Sequence, residues 1–224
     1  MIFQHREIMF SRRNLLTAVV AAFVLVLPAA CSAENGPERY VAGEHYTALD
    51  TPVPTKTGDK IEVIEFFLYG CSHCNAFDPL VDAWKAQLQD DVAFRRVPVT
   101  FSGIGPLFAA MFYTADDLGV LEKLHSRLFA AIHEDRRDLT SPEKIRAFFV
   151  ENGVDGEEFN TSFNSEKVET QVAQASELMR AYRIEGVPAL AVDGKFKVNG
   201  RQAGSNDAML SVTDFLISKV RSTK

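Results

Sequence analysis

The sequence predicts an α/β domain that is interrupted by a helical segment. Three observations predict it: a strand-helix-strand pattern over residues 61–99, a long stretch over 105–183 with helical patterns and no convincing strand, and a return to two short strands and a final helix. The 224 residues are 46% hydrophobic and 24% charged, which is typical of a globular protein. The net charge of −6 argues against a protein that coats nucleic acid, and we expect no nucleic-acid partner.

Residues 1–33 have a composition of their own. Arg12 and Arg13 precede an uncharged, mostly apolar stretch that runs to Ala33 and ends in small residues after Pro28. This order is typical of a secretory signal, so we predict a signal peptide over 1–33. Its removal changes the net charge from −6 to −8, because it holds three arginines and one glutamate.

Three other interpretations of this leader stay open. The apolar run is long enough to remain as a membrane anchor, although Pro28 inside it argues against a spanning helix. The residues up to Cys31 resemble a lipoprotein signal, in which case Cys31 would be lipidated after cleavage at Ala30. Residues 11–16 also resemble a twin-arginine export signal. Every interpretation places residues 34–224 outside the cytosol, either free or anchored by lipid or by the uncleaved signal.

The first element of the exported part is a strand. A short strand is possible around residues 46–49, and residues 61–69 then form a run of β-branched and aromatic side chains that predicts a central strand buried on both faces. After Gly70 the apolar residues recur at spacings of three and four, which predicts a helix: Phe77, Leu80, Val81, Trp84 and Leu88. Cys71 therefore lies at a strand-to-helix junction, and residues 92–99 complete a βαβ unit.

Helical signals dominate the next segment. Thr140 or Ser141 is a candidate N-cap, with Pro142 in the first turn. Two groups of apolar residues mark helix faces: Leu118, Leu121, Leu124, Leu128 and Ile132 in the first, and Ile145, Phe148 and Phe149 in the second. We predict that residues 105–183 form an inserted helical domain.

The chain then returns to β structure. Residues 188–192 and 196–198 predict a hairpin around a two-residue turn, Asp193-Gly194. The last helix is amphipathic, with apolar side chains at Met209, Leu210, Val212, Phe215, Leu216 and Val220. Residues 34–104 and 184–224 are therefore predicted to form the α/β domain that the insertion interrupts.

The cysteines point to redox chemistry. Only three occur, and once Cys31 is set aside, Cys71 and Cys74 form an isolated CxxC pair. An inert disulfide across so small a loop would stabilise the fold little. Zinc would need four ligands, whereas Cys71, His73 and Cys74 offer three and the remaining histidines show no metal spacing. Thiol-disulfide exchange remains, and we predict no metal site.

The position of Cys71 suits a reactive thiolate. A free thiol has a pKa of about 8.5, and the positive end of a helix lowers it by about one unit. His73 is a candidate for a further decrease through a hydrogen bond or its charge, although an ordinary exposed histidine is the alternative. Cys74, one turn into the helix, is predicted to be buried and to act as the resolving thiol.

Two segments together resemble a known family. The residues FFLYGCSHC (66–74) and IEGVPAL (184–190), with the helical insertion between them, resemble the DsbA family of periplasmic thiol:disulfide oxidoreductases. The resemblance covers residues 40–224 and implies a thioredoxin-like fold with an inserted helical domain. It implies that Cys71 is the nucleophile and Cys74 the resolving thiol, that Pro188 is a cis-proline facing them, and that the Val187 backbone pairs with substrate.

The resemblance also implies partners. These are unfolded exported proteins with free cysteines as substrates and a DsbB-like membrane protein as reoxidant. The redox group would be the Cys71–Cys74 disulfide itself, with no cofactor, and we expect a monomer in the periplasm.

Further site residues follow from the same resemblance. Glu65 matches the acidic residue that the family places beneath the active site, and Asp78 and Arg96 are positioned to complete a charge cluster. Proton relay and plain structural pairing are both open for this cluster. Ser72 stands where the family commonly has proline, which leaves the strength of the oxidant open.

Rival functions remain at this point. A disulfide isomerase related to this family would carry a dimerisation domain before the thioredoxin fold, and residues 34–60 are too few for one. A reductase of the thioredoxin kind would have Gly-Pro between its cysteines, where this chain has Ser72-His73. A non-enzymatic chaperone or metal-binding module would bind zinc through the thiols.

Overall fold

The centre of the fold is β2 (Ile61–Phe67), in which every residue is buried. The computed structural model describes residues 39–101 and 103–224. Within them, β2 pairs in parallel with β3 (Val92–Pro98) and antiparallel with β4 (Ala189–Val192). β4 pairs with β5 (Phe196–Asn199), and β1 (Thr47–Ala48) with β5, so the sheet order is β1-β5-β4-β2-β3. The predicted central strand is confirmed, although it ends at Phe67 rather than at residue 69.

Eight helices complete this part of the chain. They are α1 (Ser72–Lys85), α2 (Gly105–Asp117), α3 (Leu121–His133), α4 (Pro142–Glu151), α5 (Gly156–Phe163), α6 (Glu166–Ala181), α7 (Gly200–Ala203) and α8 (Asn206–Arg221). Ser141 is the N-cap of α4, since its hydroxyl accepts a hydrogen bond from the Lys144 amide. α1 ends at Lys85, so Leu88 lies beyond the helix in which we had placed it.

Helices cover both faces of the sheet because successive residues of β2 point to opposite sides. Ile61 and Val63 pack with the apolar faces of α1 and α8, whereas Ile64 and Phe66 pack with Tyr182 and residues of α6. β2 therefore has no solvated face. Such burial explains the β-branched and aromatic side chains of β2, between which Glu62 and Glu65 are also buried, and confirms the predicted position between two helical layers.

The five helices from α2 to α6 form the inserted segment, and α2 to α5 share a core. That core includes Leu124, Leu128, Ile145, Phe148 and Phe149, and it continues onto Phe67 and Tyr69 at the end of β2. The α/β fold with a helical insertion is thus confirmed. One predicted helix face is divided, because Leu118 ends α2 and the other residues of that group lie on α3. The limits 105 and 183 of the insertion stay a prediction.

The turn between β4 and β5 differs slightly from the predicted one. Asp193 and Gly194 have φ of 50° and 68°, as the predicted turn requires. Val192 pairs with Phe196, however, so Lys195 is a third residue between the strands. Gly194 is needed here for a second reason: a Cβ atom on it would lie 1.9 Å from the Val53 carbonyl oxygen. Local sequence indicated the turn, and the contact with Val53 became visible only in the structure.

Two predictions concern residues outside the described part. The signal peptide over 1–33 and the lipidation of Cys31 both lie there. Within the described residues, no helix has the length and apolar character needed to cross a bilayer.

Candidate active site

Cys71 lies four residues after the end of β2 and caps the start of α1. Its backbone is extended, with φ −95° and ψ 115°, and its sulfur accepts a hydrogen bond from the Cys74 amide at 3.4 Å. A side chain that accepts from the third amide of a helix is the usual N-cap arrangement, here with sulfur in place of oxygen. Cys71 is partly exposed, whereas Cys74 is fully buried, and both thiols are free.

The two thiols have opposite acidities. The pKa of Cys71 is lowered to about 6, chiefly because the Cys74 side chain donates a hydrogen bond to its sulfur, with smaller contributions from the Cys74 and His73 amides and the His73 charge. Burial opposes this decrease without cancelling it. The pKa of Cys74 is raised because its proton is held in that hydrogen bond and its sulfur is buried. At neutral pH, Cys71 is therefore the thiolate and Cys74 the thiol.

The loop before β4 faces the pair. Val187–Pro188 is a cis peptide bond, as the resemblance implied. The Cys71 sulfur lies 3.6 Å from the Val187 carbonyl oxygen, although the two residues are far apart in sequence. His73 is exposed and lines the same groove as Val187 and Pro188. The structure thus brings together all five residues that we predicted at the redox centre.

Glu65, Asp78 and Arg96 also meet, behind the thiols. Glu65 and Arg96 are direct neighbours across the parallel pair of β2 and β3, with Arg96 Nε 2.9 Å from Glu65 Oε2. Arg96 Nη2 donates to Asp78 Oδ1 at 3.1 Å and to Asp82 Oδ1 at 2.8 Å. Burial opposes its charge, but the surrounding carboxylates raise the pKa of Arg96. One guanidinium therefore contacts three carboxylates, of which Asp82 was not predicted.

Glu65 and Asp78 respond differently to this environment. Burial raises the pKa of Glu65 to about 7, and it outweighs the opposite effect of the Arg96 charge. Burial also disfavours the ionised form of Asp78, but hydrogen bonds from His125 and Ser126 lower its pKa overall. Near neutral pH, Glu65 can gain or lose a proton whereas Asp78 stays ionised. A buried carboxyl that titrates near pH 7 is suited to proton transfer.

The network continues into the inserted helices. His125 of α3 has Nε2 3.2 Å from Asp78 Oδ1 and Nδ1 2.8 Å from the Tyr69 hydroxyl. An ionised Asp78 can only accept, so His125 carries its proton on Nε2, and Nδ1 accepts from Tyr69. Burial fits this assignment, since it lowers the pKa of His125 and raises that of Tyr69. In the hydrogen-bonded series Tyr69–His125–Asp78, each donor thus meets an acceptor.

These added residues were not predicted from the sequence. Tyr69 belongs to the predicted strand 61–69, and His125 follows Leu124 on a predicted helix, so neither stands out as a site residue. His133, two helical turns further on, lies with Nε2 2.7 Å from the Tyr69 carbonyl oxygen. Two histidines on the same helix as buried leucines were the available signal, since a polar group at a buried position needs a partner.

A groove of about 730 Å³ opens beside Cys71. It is bounded by the loop 183–189, by residues 197–201 of β5 and α7, and by the start of α8. Metal ligands are not gathered there: across residues 39–101 and 103–224, no three His, Cys, Asp or Glu side chains are grouped to hold an ion. The chemistry available at the site is that of the thiol pair and the ionisable groups behind it.

Comparison with known proteins agrees with this geometry. Residues 62–208 match the family model of the DSBA-like thioredoxin domain. The thiol:disulfide interchange protein DsbA of Pseudomonas aeruginosa strain PAO1 is 37% identical over 209 residues, which is 93% of this chain and 97% of that protein. DsbA of Azotobacter vinelandii is also 37% identical, over 95% of this chain and 100% of its own length. The crystal structure of P. aeruginosa DsbA superposes with a TM-score of 0.79 at 39% identity, over 82% of this chain and 96% of that one.

Proposed function

Because this chain belongs to the DsbA family of thiol:disulfide oxidoreductases, we propose that it acts as a dithiol oxidase that donates a Cys71–Cys74 disulfide to newly exported proteins. The chain is a disulfide oxidoreductase, and the proposal concerns the direction of the exchange and its substrates. The observation that carries it is the position of Cys71 at the N-cap of α1, where its pKa is lowered to about 6.

The reaction proceeds in two exchanges. A substrate thiolate attacks Cys71 Sγ of the oxidised protein, so that the Cys71–Cys74 bond breaks, a mixed disulfide forms, and Cys74 leaves with the electron pair and takes up a proton. A second substrate thiolate then attacks the substrate sulfur of the mixed disulfide and releases Cys71 as a thiolate. The substrate gains one disulfide and gives two electrons to the protein.

The acidity of Cys71 favours this direction. A thiolate of low pKa is a good leaving group, which accelerates the second exchange. At pH 7, a pKa of 6 in place of 9 favours the reduced protein by about tenfold, equivalent to about 30 mV, and less after allowance for the partial exposure of Cys71. Reduced protein is thereby stabilised relative to the disulfide, as an oxidant requires.

Glu65 is proposed to carry the proton that Cys74 takes up. Burial of Cys74 keeps it away from bulk water, while the Glu65 carboxyl below it titrates near pH 7. The negative charge of Glu65 contributes to the raised pKa of Cys74, which supports a location of the carboxylate close to the thiol. Asp78 and Arg96 would position Glu65 and set its charge balance rather than carry protons themselves.

Reoxidation and location complete the proposal. The reduced pair would pass its electrons to a DsbB-like membrane protein, and the predicted leader over 1–33 would deliver the enzyme to the periplasm as a monomer. The relatives named DsbA support this assignment through their identity over almost their whole length.

The test is the equilibrium redox potential against glutathione. Wild-type protein is compared with His73→Ala, and Cys71→Ser serves as the control that forms no internal disulfide. The proposal expects a potential well above the −270 mV or so of thioredoxin and a lower value for His73→Ala. A potential close to that of thioredoxin, unchanged by His73→Ala, would instead indicate a reductase. Stoichiometric zinc binding with loss of free thiols would indicate the metal-binding alternative.

A further inference from the structure

The groove beside Cys71 is lined by more positive than negative side chains. Three cationic side chains line it, Arg183, Lys197 and Arg201, against a single carboxylate, Glu185. The protein as a whole carries net negative charge, −6 for the full sequence. A positive groove on an acidic protein is a local feature that the overall charge does not predict.

The three positive charges are only weakly neutralised. Within the described residues, Arg201 is exposed and makes no ion pair. Lys197 donates to the Arg183 carbonyl oxygen at 2.7 Å, a neutral acceptor that leaves its charge uncompensated. Arg183 lies 3.7 Å from Asp50, but their side chains are 74% and 87% exposed, so water screens this pair strongly.

Three apolar side chains of the groove contribute little accessible surface. Ile184, Ala189 and Val198 are among its lining residues, yet they are 7%, 3% and 0% exposed. A bound segment would therefore meet the three cationic side chains together with the partly exposed Val187. Since Val187 both lines the groove and contacts the Cys71 sulfur, a segment lying there would be continuous with the cysteine that reacts.

We propose that this groove binds the substrate segment next to the reacting cysteine and that it selects acidic segments. The inference rests on the proposed oxidase function and adds the substrate class. Carboxylates of the substrate would pair with Arg201, Arg183 and Lys197, while Glu185 would disfavour a second cluster of anions at that edge. Exposed pairs contribute little individually, so the expected selectivity is about two- to fivefold for each carboxylate.

The experiment uses three dithiol peptides of equal length whose residues beside the first cysteine are Asp-Glu, Asn-Gln or Lys-Lys. Their oxidation by the disulfide form of the full exported protein is followed at low and high salt, and each rate is divided by the rate with a small disulfide oxidant. Division corrects for the effect of flanking charge on peptide thiol acidity. The acidic peptide should react fastest, and its advantage should disappear in high salt.

A matched pair of charge reversals localises the effect. Arg201→Glu changes the groove, whereas Lys60→Glu makes the same charge change just before β2, at the opposite end of that strand from Cys71. Arg201→Glu should lower the acidic-to-neutral rate ratio about fivefold, and Lys60→Glu should leave it unchanged. Equal ratios in the two variants, or faster oxidation of the basic peptide by wild type, would overturn the groove assignment. If none of the three peptides is oxidised, the oxidase function is overturned, and with it this inference.

Discussion

The hydrogen bond from the Cys74 thiol to the Cys71 sulfur can be tested by removing its donor. Cys74→Ala deletes the thiol and keeps the backbone amide that also contacts Cys71. Cys74→Ser replaces the thiol by a hydroxyl, a better donor of similar size. Neither variant can form the internal disulfide, so the two differ mainly in whether position 74 can donate.

The expected shift follows from the strength of such bonds. A hydrogen bond to a charged group contributes about 1.5–3 kcal/mol, and the lower end applies because a thiol is a weak donor. About 1.5 kcal/mol corresponds to one pKa unit, which moves the pKa of Cys71 from about 6 to about 7 in Cys74→Ala. At pH 6, the thiolate fraction then falls from about one half to about one tenth, and alkylation of Cys71 slows about fivefold.

The assay is the rate of iodoacetamide alkylation of Cys71 from about pH 4 to about pH 9, read by intact mass. Cys74→Ser should keep a midpoint near 6 or below, while Cys74→Ala titrates about one unit higher. Water entering the space left by alanine would act in the opposite direction, because it would relieve the burial that raises the Cys71 pKa. Equal midpoints in both variants would show that the Cys74 thiol does not lower the pKa of Cys71, and would assign the low pKa to the helix N-terminus and His73.

Three further predictions concern stability. Reduced protein should have a higher denaturation midpoint than oxidised protein at pH 7. Because the folded pKa of Cys71 is depressed, the thiolate's contribution to the free energy of unfolding is complete above about pH 9 and disappears as pH falls through 6. Urea titrations at several pH values measure this change. The difference in unfolding free energy between Glu65→Gln and wild type should shift in favour of the variant by about 2 kcal/mol as pH rises from about 5 to about 8, because a pKa raised to about 7 makes ionisation of Glu65 destabilising. A difference that does not change with pH would contradict this. Tyr69→Phe leaves His125 Nδ1 buried without its donor and should cost about 1–3 kcal/mol of unfolding free energy, while His125→Phe in that background should cost less than in wild type, as a double-mutant cycle would show.

Prediction from sequence was strongest where the determinants are neighbours in the chain. The all-buried strand, the cysteine at the start of the helix and the candidate turn at Asp193-Gly194 each depend on a few consecutive residues, and the structure contains all three. Their physics is local: strand and helix periodicity, the unpaired amides of a helix start, and backbone sterics.

Three features could thus be predicted from residues close together in the chain: the reactive pair, its place in a βαβ unit and the resemblance to a family. Three other features depend on how distant elements pack: Arg96 contacts three carboxylates, His125 links Asp78 to Tyr69, and a positive groove adjoins Cys71. These features join residues from separate strands and helices, and a buried charge or a groove takes its properties from every element packed around it. Local sequence patterns do not predict which distant residues become neighbours, because the packing of the elements sets the distances between side chains, their burial and the charges around them.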